Sequence, residues 1–389
     1  MDFFFNDEQG ALRQRLRKFG QENLVPRRAE FENKDHYPQA LRDLLKVERI
    51  YPYFLPKDYG GAGVSSVNIC IIREELCRAC VASELLPVFQ GLGSYPIQLF
   101  GTEDQKRKYL PPLANGDAFI SFCLTESSAG SDVAGIQATA KEGESGWILN
   151  GRKMYVAHPD YSSIFVVFAK TAPELGGKGI SAFIVEKAFP GVSFEKMHLC
   201  PSHPEGLMIL EDCVVPGENL LGALNGGMKV ALSNLGVFRT TVGAAAVGMA
   251  QSAYEESLMF ARERITFGNP VVELQAIRFK LADMATQLEA ARLMVYRAAW
   301  MSDKGIGSMR EASMAKLFAT EAAQRVIDEA VQIFGGRGVW EDSRVSFLYR
   351  AIRPTRIYEG SSEIQRVVIG REIVRQQAEP GPSAVVGSF

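Results

Sequence analysis

The chain has 389 residues, 47% hydrophobic and 23% charged, the balance of a soluble folded protein with room for two or three domains. Its 43 Lys and Arg against 45 Asp and Glu leave a net charge of −2 with no long basic run, which argues against a nucleic-acid partner. Six cysteines are too few for a disulfide scaffold in so long a chain, and four histidines without ligand spacing argue against a metal site.

The first residues carry Asp2, Asp7 and Glu8 around a three-residue apolar run, unlike a signal or transit peptide, and no transmembrane span is expected. From Asn6 to about Gly116 the pattern is helical: Asn6 with Gln9 and Thr102 with Gln105 are capping boxes, and residues 56–63 form a Pro/Gly-rich loop between helices. Cys77 and Cys80 fall within a helical stretch and read as two reduced core thiols. From Ala118 to Pro216 the pattern changes to short β-rich runs at 119–124, 146–149, 153–156, 164–168, 182–185 and 207–210, with Asn150-Gly151 as a hairpin signal. This predicts a small antiparallel β domain, a barrel or sandwich. Helical spacing returns from about Gly226. Leu274, Ile277, Leu281, Met284, Leu288, Ala291, Val295 and Ala298 form one apolar stripe, with Asn269-Pro270 expected to start that helix. Ser308 and Glu311 cap the next, with Met314, Phe318, Ala322, Val326 and Ala330 as its buried face. The expected architecture is a mainly α protein with a central β domain: a helical domain over 1–117, the β domain over 118–225, a four-helix bundle over 226–377 and a mobile tail over 378–389.

The candidate catalytic group is Glu359, in the run Ile357-Tyr358-Glu359-Gly360-Ser361-Ser362. Ser362 with Gln365 reads as the capping box of a final helix, so Glu359 precedes a helix N-terminus. There the helix dipole favours the ionised carboxylate, burial beside Ile357 and Tyr358 opposes it, and free N–H groups could hold a carbonyl oxygen as it gains charge. A solvated glutamate in a helix–helix turn fits the same decapeptide.

The order of domains and five segments resemble the acyl-CoA dehydrogenase family over nearly the whole chain. Leu124-Thr125-Glu126-Ser127-Ser128-Ala129-Gly130-Ser131-Asp132 is similar to the family's TEPGAGSD loop, and Lys153-Met154-Tyr155-Val156-Ala157 to its KMWIT strand. Arg264-Ile265-Thr266-Phe267-Gly268 resembles RxxFG, Gln332-Ile333-Phe334-Gly335-Gly336 resembles QxxGG, and Ile357-Tyr358-Glu359-Gly360 the segment that carries the base. The resemblance implies FAD as cofactor. Phe122, Leu124, Thr125, Tyr155, Val156, Ala157, Ser361 and Glu363 would then stand at the flavin, while Arg264, Phe267, Gln275, Gln332, Gly335 and Gly336 would reach FAD across a subunit interface. Ser131, Arg239, Tyr358 and Gly360 would contact the thioester, with Glu359 as base. It further implies a homotetramer built as a dimer of dimers, an acyl-CoA substrate, electron-transfer flavoprotein as acceptor, and a bacterial cytoplasmic location.

Several positions depart from the family pattern. Ala157 stands where many members have Thr or Ser near flavin N5, Tyr155 where they have Trp, Gly236 and Ala351 where Asp is common, and residues 201–206 lack the usual basic strand. Recognition of CoA is thus less marked than binding of FAD, and a desaturase or oxidase of a carrier-protein thioester is the alternative. Bulk at Phe89, Tyr95, Val237 and Phe238 suits a short, branched or cyclic acyl group. A non-catalytic or nucleic-acid-responsive role would call for a basic C-terminal extension, which this sequence does not show.

Overall fold

A computed structural model describes residues 5–201 and 203–378. The first helices are α1 (Asp7–Phe19), α2 (Arg28–Phe31), α3 (Gln39–Val47), α4 (Ser66–Ala79), α5 (Val81–Phe100) and α6 (Glu103–Ala114). The strands are β1 (Ile120–Cys123), β2 (Thr139–Gly143), β3 (Gly146–Ala157), β4 (Ile164–Lys170), β5 (Ile180–Glu186), β6 (Val192–Met197), β7 (Glu205–Pro216) and β8 (Leu220–Leu221). Then come α7 (Gly227–Glu263), a short hairpin of β9 (Ile265–Thr266) and β10 (Asn269–Pro270), α8 (Gln275–Asp303), α9 (Met309–Phe334), α10 (Arg344–Ala351) and α11 (Ser362–Ala378). The tail expected over 378–389 lies outside the described residues after Ala378, the last residue of α11.

The capping boxes at Asn6, Thr102 and Ser308 form as expected. Asn269-Pro270 does not start a helix: Asn269 pairs with Thr266 across the β9–β10 hairpin, and α8 begins only at Gln275. Asn150-Gly151 makes no hairpin either. β3 runs straight through it, because Asn150 pairs with Thr139 and exchanges hydrogen bonds with Asp212 (2.8 and 3.0 Å), and the register shift there places its extra residue in β7.

The sheet order is β6-β7-β3-β2-β4-β5-β8, antiparallel except where β4 pairs in parallel with β1 and β2. β4 is buried on both faces. Ile164, Val166 and Phe168 join the helical core, whereas Phe165, Val167 and Ala169 pack with Leu149, Phe183, Met208 and Val215 in the β core. That two-sided burial explains its unbroken apolar sequence.

Helix α7 is long and apolar enough to cross a membrane, yet 76% of its most apolar window is buried, where α4, α8 and α9 surround it. Glycines permit the close approach: a Cβ on Gly248 would stand 2.2 Å from the Glu74 carbonyl oxygen on α4, and one on Gly243 would stand 2.7 Å from Val295 on α8. The α8 stripe from Leu281 to Ala298 is buried as expected, although Leu274 is exposed. On α9 the buried face is richer in alanine than expected: Ala312, Ala315, Ala319, Ala322, Val326 and Ala330 face inward, and Met314 faces out.

Candidate active site

Glu359 lies between the turn Arg353–Arg356 and α11. Both Glu359 (φ +52°) and Gly360 (φ +90°) adopt left-handed backbone, which reverses the chain into the helix. Such a conformation costs a non-glycine residue about 1–3 kcal/mol and persists where its surroundings over-determine it. Three helices do so here. Arg239 Nε of α7 donates to the Glu359 carbonyl (3.2 Å), Lys316 Nζ of α9 donates to the Gly360 carbonyl (2.7 Å), and Gln365 Nε2 of α11 reaches both carbonyls (3.2 and 2.7 Å). A Cβ at Gly360 would meet Gln365 Nε2 at 2.8 Å.

The Ser362–Gln365 capping box is not formed. Ser361 serves instead, its Oγ accepting from the Ile364 amide (3.4 Å), while Ser362 donates to Glu321 (2.6 Å) and the Gln365 side chain is committed to the strained turn. Glu363 is exposed, and its own amide and Ser361 hold its carboxyl below the ordinary value.

The Glu359 side chain is half-buried overall, with Oε2 closed to solvent and without a hydrogen-bond partner. Burial pushes its pKa up, and the cations Arg73, Lys316 and Arg239 oppose that rise. Burial also pulls Lys316 down to about 8, with Glu359 as the main opposing charge, and lowers Arg239, whose Nη1 is likewise buried and unpaired. The Tyr358 phenol is driven well above its usual range by burial. Elsewhere in the helical core, Tyr95 and Phe238 meet edge-to-face at 5.8 Å, and Phe89 packs on His158 at 5.3 Å. The ring nitrogens of His158 have no partner among the described residues, and burial lowers its pKa to about 3, so the imidazole is neutral.

A second group gathers where β1 meets β3. The Met154 amide bonds to the Thr125 carbonyl (2.8 Å), placing half-buried Phe122, Leu124 and Thr125 beside Tyr155, Val156 and Ala157. Tyr155 has φ +55° at a register shift of β3, and its ring is 51% exposed, whereas Val156 and Ala157 are buried. Ser131 lies exposed in the following loop.

The remaining candidates cluster elsewhere, at one end of the bundle, where Phe260 of α7 stacks on Phe334 of α9 at 4.3 Å. Phe267 sits at the tip of the β9–β10 hairpin with 90% of its surface exposed, and Arg264, Gln275, Gln332, Gly335 and Gly336 are exposed as well. A Cβ at Gly335 or Gly336 would meet nothing within 4 Å. Among the described residues nothing covers Gly335 and Gly336. Sequence reasoning missed Lys316 and Arg73. The signal that could have found them was a charge on an otherwise apolar helical face, with Lys316 set between Ala312, Ala315 and Ala319.

The acyl-CoA dehydrogenase N-terminal domain model matches residues 6–117, the middle domain 121–212 and the C-terminal domain 225–374. The chain belongs to the acyl-CoA dehydrogenase family. It is an oxidoreductase of that family, 39% identical over 372 residues to an acyl-CoA dehydrogenase of Bacillus subtilis, covering 94% of this chain and 98% of that one. It is also 39% identical over 379 residues to a 3-(aryl)acrylate reductase of Clostridium sporogenes (96% and 100% covered) and 37% identical over 382 residues to the caffeyl-CoA reductase-Etf complex subunit CarC of Acetobacterium woodii (96% and 100%). Among solved structures it resembles butyryl-CoA dehydrogenase of Megasphaera elsdenii (TM-score 0.92, 35% identity, 96% and 100% covered). An acyl-CoA dehydrogenase complexed with FAD from Bacillus anthracis matches at TM-score 0.88 and 31% identity (96% and 68%).

Proposed function

We propose that this member of the acyl-CoA dehydrogenase family removes the α-proton and β-hydride of a short, branched or cyclic acyl-CoA to give the trans-2-enoyl-CoA, with Glu359 as base and electron-transfer flavoprotein as acceptor. The carrying observation is the orphaned Oε2 of Glu359, a buried lone pair left open beside three cations. Abstraction of an α-proton needs such an acceptor, together with donors for the carbonyl as it becomes enolate-like. The Glu359 amide donates to no acceptor among the described residues and precedes the N-terminus of α11, so it is suited to that second task. Arg239 and Lys316 hold the backbone of residues 359–360 and leave the carboxylate free to face substrate. Tyr358, Gly360 and Ser131 complete the proposed thioester contacts.

FAD is the cofactor, as in the solved complex from Bacillus anthracis, and when bound it supplies the hydride acceptor. Phe122, Leu124, Thr125, Tyr155, Val156, Ala157, Ser361 and Glu363 are proposed to hold it within one chain. Arg264, Phe267, Gln275, Gln332, Gly335 and Gly336 are proposed to hold the FAD of a partner subunit, which supports a homotetramer, as does the apolar exposure of Phe279, Trp300, Val339 and Trp340. We assign the protein to the bacterial cytoplasm and divide it at residues 117 and 225.

The reverse reaction, reduction of an enoyl-CoA, has its own support. Burial favours the protonated form of Glu359, which a proton donor to Cα requires, and two of the relatives above are named reductases. Anaerobic titration of the FAD-loaded protein with butyryl-, isovaleryl-, cyclohexanoyl- and palmitoyl-CoA tests the proposal. Bleaching by one of the first three is the expected outcome. Oxidised flavin unchanged by all four, with reduced flavin reoxidised by an enoyl-CoA, would establish the reductase direction instead.

A further inference from the structure

Behind Glu359 lies a second set of charges that the reaction just described does not use. Arg73 on α4 and Glu84 on α5 are fully buried and joined in an ion pair, and Arg73 Nη1 also donates to Thr241 Oγ1 on α7 (2.8 Å). The neighbouring α4 residues Ile69, Ile72 and Leu76 are apolar and equally buried, so the pair is set into a hydrophobic interface. A buried pair of this kind gives little or no stability over apolar residues of the same volume. Its placement suggests another use. Thr241 follows two residues after Arg239, so the same stretch of α7 holds the Arg73 guanidinium and the Glu359 carbonyl.

The charges facing Glu359 come from four helices: Arg73 from α4, Glu84 from α5, Arg239 from α7 and Lys316 from α9, with the Tyr358 phenol adjoining it in the chain and the uncharged Gln365 of α11 on its carbonyl. Among the cations Arg73 acts most strongly on Glu359, and Glu84 acts against it. The interaction is reciprocal: burial works against the charge on Arg73, whereas Glu84 and then Glu359 restore it.

We propose that Arg73 and Glu84 are positioning residues of the active site, a buried charge pair that sets the balance between the proton-accepting and proton-donating forms of Glu359. The guanidinium stabilises the carboxylate, and Glu84 opposes that effect. This rests on Glu359 being the acid–base group.

The test uses FAD-loaded wild type, Glu84→Gln, the double variant Arg73→Met/Glu84→Gln, and Glu359→Gln. Two quantities are followed against pH: the infrared carbonyl band of the protonated acid that Glu359→Gln removes, and the anaerobic rate of flavin bleaching by butyryl-CoA. Glu84→Gln leaves the cation uncompensated, so the Glu359 midpoint falls by about one pH unit. The double variant removes both charges, and its midpoint rises above that of the wild type. A merely structural pair would shift neither midpoint, and both variants titrating with the wild type would overturn the proposal. Should Glu84→Gln not fold, the double variant, which buries no lone charge, carries the test. If Glu359→Gln bleaches flavin at the wild-type rate, it is the acid–base reading of Glu359 that fails. The infrared midpoints still report the pair's effect on the carboxyl whether or not butyryl-CoA is turned over.

Discussion

Two carboxylates in this molecule, buried Glu126 and half-buried Glu359, have opposite surroundings. Glu126, in the loop after β1, accepts from Lys153 Nζ (2.6 Å) and the Ala138 amide (3.1 Å) at Oε1 and from the Gln137 amide (2.5 Å) at Oε2. Its backbone also bridges Ala129, closing the loop that contains Ser127 and Ser128. Glu359 has no such partners: Oε2 is bare, and nearby donors go to the backbone carbonyls of residues 359 and 360. A buried carboxylate with both its oxygens engaged is a rigid structural joint, whereas one held in place by its backbone, with an oxygen left open, is costly to the fold and available to a reaction.

The comparison can be broken from either side. Glu359→Gln keeps the shape and removes the proton acceptor, so flavin reduction by the active acyl-CoA should fall roughly 10²- to 10⁴-fold while FAD stays bound, as measured by anaerobic stopped-flow absorbance. Lys153→Met strips the partner from Glu126 and leaves an uncompensated buried charge; urea unfolding should show a loss of about 3–5 kcal/mol, with the pH profile of flavin reduction unaltered in any protein that folds. Gly360→Ala puts a Cβ against Gln365 at a positive φ, and about 1–3 kcal/mol of stability should be lost along with most of the activity.

The smallest effect sharpens the contrast. Because burial raises the folded-state pKa of Glu359 above its unfolded value, the unfolded chain releases this proton first as pH rises, and the native state loses stability across that window. Glu359→Gln cannot ionise. Its stability should equal that of the wild type at pH below the ordinary carboxyl range and exceed it above the folded pKa, by about 1.4 kcal/mol for each pH unit between the unfolded and folded midpoints. Paired thermal melts at acidic and neutral pH would show the difference, and an identical offset at both would contradict it.

Much of the framework was legible because its causes are local. Capping boxes at Asn6, Thr102 and Ser308 need only four residues, and the α8 stripe needs only its period. The failures share a cause as well. Asn150-Gly151 has the composition of a hairpin, but β3 continues through it because β2 and β7 pair on either side, with the extra residue of the register shift lying in β7. Asn269-Pro270 has the composition of a helix start, but β9 captures it. Gln365 has the spacing of a capping residue, but the strained carbonyls at 359 and 360 compete for its amide.

By itself the sequence determined the order of helical, β and helical segments, the helix starts at Asn6, Thr102 and Ser308 and the position of one unusual glutamate before a helix, since each depends on neighbours a few residues away. Only the tertiary structure decided that this glutamate has one oxygen closed to solvent and bare, and that Arg73, Glu84, Arg239 and Lys316 converge on it from four helices. Those residues lie tens to hundreds of positions from Glu359, and the fields they exert depend on distance and burial, which no local pattern encodes.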